Sequence, residues 1–70
     1  MPKIPGVSHR AAVAALRRAG FEVEREGPHT VMARGAISVA VPRHDPINAY
    51  TMGGIAKDAG LTPDEFRALL

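Results

Sequence analysis

Residues 21–42 read FEVEREGPHTVMARGAISVAVP, and the periodicity of this stretch decides the fold. From Phe21 to Glu26 the period is two, with Phe21 and Val23 on one side and Glu22, Glu24 and Glu26 on the other, the pattern of a half-buried strand. Gly27-Pro28 supplies a turn, and His29 to Arg34 reads as the returning strand of a hairpin. Gly35 makes a second tight turn. Ile37, Val39 and Val41 then alternate with Ser38 and Ala40 in a third strand, which Pro42 ends by withholding a ladder amide. Alternation leaves one question open: Val31 shares a side with His29 and Met32 shares a side with Thr30, and either side could face the core.

Working outward, Ser8 is placed to cap a helix running to about Ala19, with Ala12, Val13, Leu16 and Ala19 as its apolar stripe and Arg10, Arg17 and Arg18 towards the other side. Gly20 stops it in the left-handed conformation. Beyond the third strand, Arg43 to Ala49 is expected as a loop, and Thr51 as the cap of a helix through Ala59 that ends at Gly60, with Ile55, Ala56 and Ala59 inward. Gly53-Gly54 weakens that helix and is expected to allow a close backbone approach. Thr62-Pro63-Asp64-Glu65 combines a capping threonine, a first-position proline and a glutamate three residues after the cap, so a last short helix starts here, fastened by Phe66, Leu69 and Leu70. The order predicts one α+β domain over residues 1–70, α-β-β-β-α. Its three-stranded antiparallel sheet is covered by helices on one face, its other face is free for a partner, and a short C-terminal helix follows.

Composition narrows the function. A chain of 70 residues has room for one small core, here furnished mostly by Ala, Val, Ile and Leu. The absence of cysteine excludes a disulfide framework and a thiolate zinc site, and histidines at 9, 29 and 44 form no local metal-binding pattern, so no metal or cofactor is expected. No apolar run is long enough for a membrane span or a signal peptide, and the expectation is a soluble cytoplasmic protein that does not bind membrane. A net charge of +2 permits contact with nucleic acid without requiring it. The three glutamates of the first strand form an acidic row that repels phosphate, or simply a solvated edge. Arg10, Arg17 and Arg18 are either a stripe tracking phosphates or an ordinary solvated helix face.

His29 is the residue with the most chemistry in its position. An imidazole can accept and return a proton near pH 7, and RNA carries its own nucleophile in the 2′-hydroxyl. From the residues alone two readings stand: a proton-transfer group, or an exposed histidine at a strand start. His9, at the start of the first helix, reads as a surface residue.

The ordered set Leu16-Arg17-Arg18-Ala19-Gly20-Phe21, Gly27-Pro28-His29, Val39-Ala40-Val41-Pro42-Arg43-His44, Ile55-Ala56-Lys57-Asp58-Ala59-Gly60-Leu61 and Phe66 resembles the HicA family of toxins, over nearly the whole chain from Val7. The resemblance implies a double-stranded-RNA-binding-like fold and a ribosome-independent mRNA endoribonuclease held inactive by a HicB-type antitoxin. It maps the family's catalytic histidine onto His29. Pro28 stands where the family has serine, which removes a hydroxyl and restricts Gly27. Charge growing on a phosphorane needs a cation, and the candidates are Lys57, Arg43 and Arg34, with His44 as a further proton carrier, a phosphate contact or a solvated loop residue. Arg17 and Arg18 join these as candidate RNA contacts. The alternative to a nuclease is an RNA-binding or antitoxin-docking module that has lost cleavage.

Overall fold

The computed structural model describes residues 6–43 and 45–70. Helix α1 (His9–Arg18) is capped by Ser8, whose side chain accepts from the Ala11 amide, and it closes at Ala19 before Gly20 turns with φ 96°. Strands β1 (Glu22–Glu26), β2 (His29–Arg34) and β3 (Ile37–Pro42) follow, then α2 (Ala49–Asp58) and α3 (Pro63–Leu69). The sheet is antiparallel in the order β1-β2-β3, so β2 is central. The α-β-β-β-α order and the three-stranded sheet agree with the sequence reading.

The register answers the question that alternation left open. Thr30 lies opposite Val41 and Met32 opposite Val39, and all four are buried. His29, Val31 and Ala33 lie opposite Pro42, Ala40 and Ser38 on the other face. The buried face meets Ala12, Ala15 and Leu16 of α1, Met52, Ile55 and Ala56 of α2, and Phe66 of α3 in one apolar cluster. The helices therefore cover a single face, and the side carrying His29 is open.

Four local expectations are corrected. First, β1 does not alternate throughout. Glu22 and Val23 pair with Ala33 and Met32, but Arg25 and Glu26 pair with Val31 and Thr30, so the register shifts by one across Glu24. This β-bulge breaks the acidic row: Arg25 comes opposite outward-facing Val31, and Glu26 falls opposite inward-facing Thr30. Second, Asn48 caps α2 in place of Thr51, whose amide donates to Asn48 Oδ1 over 2.8 Å. The loop before it is anchored by buried Ile47, which exchanges backbone bonds of 2.7 and 3.0 Å with Val7. Third, among the described residues a Cβ on Gly53 or Gly54 would meet nothing within 4 Å, so the expected close backbone approach is not found there. Fourth, Leu70 is exposed, and Phe66 with half-buried Leu69 holds α3 down. The capping box of Thr62 and Glu65 forms as expected.

Candidate active site

His29 stands at the first residue of β2, exposed on the open face of the sheet. Among the described residues its imidazole has no hydrogen-bond partner, which leaves both ring nitrogens available to a ligand. It lines a hollow of about 500 Å³ together with Arg25, Gly27, Pro28, Val31 and Ala40. Among the described residues the floor is apolar, from Val31 and Ala40 on neighbouring strands, and the rim carries one cation and one imidazole.

The turn is held from both sides. The Gly27 amide donates to the His29 carbonyl over 3.1 Å, and the Gly27 carbonyl accepts from Arg43 Nε over 2.9 Å. The Arg43 guanidinium also reaches Glu26 Oε1 at 3.3 Å. Pro28 lies outside both ladders, so its missing amide leaves no strand partner unpaired.

Beneath the same point, on the covered face, lies the residue that the sequence reading placed at the surface. His9 is half-buried, with Nδ1 2.9 Å from the Pro42 carbonyl and Nε2 3.1 Å from the Thr30 hydroxyl. A carbonyl only accepts, so Nδ1 carries the hydrogen, and in the neutral ring Nε2 accepts from Thr30. Thr30 is the buried polar side chain of the core among the described residues, and this bond satisfies it. His9 thus ties together the residue after His29 and the residue opposite it. The His9 amide in turn donates to Asp45 Oδ1. A histidine near a helix start carries no sequence signal for this role, because its partners are 21 and 33 residues away.

The other nominated residues disperse. Arg34 sits at the far end of β2, roughly 16 Å along the strand from His29, where it donates to the Ala19 carbonyl over 2.7 Å and lies 5.0 Å from the Phe21 ring centroid. Arg18 donates to the Leu69 carbonyl and joins α1 to α3. Arg17 lines a separate hollow with Gly20, Phe21, Glu22 and Val23. Lys57 is exposed in the last turn of α2, in the helical layer across the sheet from the open face. Arg43 alone among these cations touches the His29 turn, and it is engaged there by Gly27 and Glu26. His44 lies outside the described residues. Arg25 was missed in the sequence because simple alternation puts it on the side of Phe21 and Val23, and only the bulge brings it out.

No three histidine or carboxylate side chains converge as metal ligands among the described residues. No helix among them is long and apolar enough to cross a membrane. No curated protein and no solved structure gives a significant match to the chain. A family model described as the HicA toxin of bacterial toxin–antitoxin systems matches residues 10–61. That segment runs from the first turn of α1, through the sheet and the His29 turn, to the residue before the cap of α3. With most of its length matched, the chain belongs to the HicA toxin family, the toxin partners of antitoxins and generally mRNA-cleaving proteins.

Proposed function

We propose that this chain acts as one domain, a cytoplasmic, ribosome-independent mRNA endoribonuclease in which His29 transfers the proton, and that a HicB-type antitoxin silences it. The observation that supports this reading is the placement of His29: exposed, without a hydrogen-bond partner among the described residues, and at the rim of a hollow on the sheet face opposite the helices.

The chemistry follows from the substrate. The RNA 2′-hydroxyl attacks the adjacent phosphorus and loses its proton to a base. The P–O5′ bond breaks, and the leaving 5′-oxygen takes up a proton. The products are a 2′,3′-cyclic phosphate and a 5′-hydroxyl, with no net change in protons and no requirement for a metal. His29 serves one of the two transfers, as base or as acid. The histidine on β2 is held at a defined height because its neighbour Thr30 and its cross-strand partner Pro42 are both bonded to His9. With no Phe, Tyr or Trp lining the hollow among the described residues, base stacking contributes little and recognition rests on backbone and shape. An antitoxin that lies over the open face blocks RNA without any rearrangement of the toxin core.

Cleavage of a defined RNA by the purified chain, compared with His29→Ala, tests the reading. Cyclic-phosphate ends from the native chain and a loss of about 100- to 10,000-fold in the folded variant are expected. Equal cleavage by both proteins, or intact RNA with both, would sink the proposal. Adding a purified HicB-type antitoxin should suppress the same cleavage, and undiminished cleavage within a stable complex would count against occlusion of His29.

A further inference from the structure

We infer that Arg25 is the cation that binds the scissile phosphate beside His29 and neutralises the charge that develops on it; this rests on the nuclease reading above. The bulge in β1 sets where Arg25 stands. In an unbroken ladder Arg25 would share the side of Val23 and point to the core. The extra residue at Glu24 places Arg25 opposite Val31, and Val31 is two residues along β2 from His29 on the same face. Arg25 and His29 are therefore diagonal neighbours, about 7–8 Å apart at the backbone, within reach of one phosphate for a long guanidinium side chain. Both line the same hollow.

Availability separates Arg25 from Arg34, Arg18 and Arg43, and position separates it from Arg17, which lines a different hollow, and from Lys57, which stands in the helical layer. Arg34 and Arg18 are bonded to backbone carbonyls elsewhere, and Arg43 is engaged by Gly27 and Glu26. Glu26, the carboxylate that precedes the turn, pairs with Arg43 and falls opposite inward-facing Thr30, whereas Arg25 falls opposite outward-facing Val31. Arg25 itself makes no ion pair or side-chain hydrogen bond among the described residues. A guanidinium presents parallel N–H donors that match two phosphate oxygens, and it keeps its charge throughout the reaction. Arg25 moves no proton in this scheme: it holds the non-bridging oxygens while His29 exchanges a proton with the 2′- or 5′-oxygen. The apolar floor of Val31 and Ala40 sits beneath the attached sugar and base.

The test compares the native chain with Arg25→Gln and Arg25→Lys in two assays: cleavage of a defined RNA, and binding of uridine 3′-monophosphate followed by the His29 ring NMR signals. Thermal melting confirms that each variant folds. Arg25→Gln should lower kcat/KM by about 100- to 1,000-fold, chiefly in kcat, and weaken nucleotide binding by about tenfold or more. Arg25→Lys should restore part of both, since a point charge remains without the fork. If Arg25→Gln cleaves at close to the native rate and binds the nucleotide as well as the native chain, the inference is overturned while the nuclease reading stands. If the native chain leaves RNA intact but nucleotide binding still depends on Arg25, the phosphate site stands and the nuclease reading falls.

Discussion

The two ends of the β1–β2 hairpin each carry an arginine, and they use it in opposite ways. At the end near Gly20, Arg34 covers the Phe21 ring and donates to the Ala19 carbonyl that closes α1, so its charge is spent on holding sheet to helix. At the end near His29, Arg25 is turned outward by a bulge and left without a partner among the described residues. One residue type is a fastener at one end and an open ligand group at the other. The lesson is that a cation's availability, which its sequence position does not reveal, separates structural arginines from those free to meet a phosphate.

The contrast can be broken most severely at the fastened end. Phe21 is almost fully buried, and Phe21→Ala should cost about 3–5 kcal/mol, comparable with the whole stability of a small domain. Urea denaturation should then show little or no cooperative transition. A well-folded variant would mean that the fastened end is not part of the core.

At the His29 end the corresponding support is His9. His9→Ala removes the partner of the buried Thr30 hydroxyl and should lower stability by about 1–3 kcal/mol, read as a shift in urea midpoint at unchanged slope. Adding Thr30→Val to that variant should recover part of the loss, because the orphaned hydroxyl goes with it. Additive losses in the pair would show that the two side chains are not bonded.

Arg34→Ala sharpens the comparison with Arg25 directly. It should cost about 1 kcal/mol through the lost bond to Ala19 and the uncovered Phe21 ring, while the folded variant keeps its RNA cleavage. Arg25→Gln should do the reverse, changing melting little and cleavage greatly. A reversal of those two outcomes would exchange the roles assigned here.

The smallest effect lies outside both ends. Gly54 is exposed in α2 with open space where a Cβ would stand, so Gly54→Ala should raise stability by up to about 1 kcal/mol. A loss measured by thermal melting would reveal a steric need for glycine that the geometry does not show.

Most of the fold was legible because its signals are local. Ser8, the Thr62-Pro63-Asp64-Glu65 cap, and Gly20, Gly35 and Gly60 at positive φ mark element boundaries through bonds made within a few residues. His29 was likewise legible as a candidate, from its residue type and from the motif around it. The cap of α2 is ambiguous in the sequence because Asn48 and Thr51 are both capping residues three apart, and only the helix's actual start decides which one accepts the bond.

What the sequence determined by itself was therefore the order of elements, the turn before His29 and the family resemblance, all of which depend on short-range pattern. The tertiary structure decided which side of β2 is buried, that a bulge at Glu24 sends Arg25 outward, and that His9 braces the His29 end from beneath. These depend on pairing between strands and between helix and sheet. A one-residue shift in such pairing exchanges the faces of every residue that follows, and a two-residue period looks the same from either side.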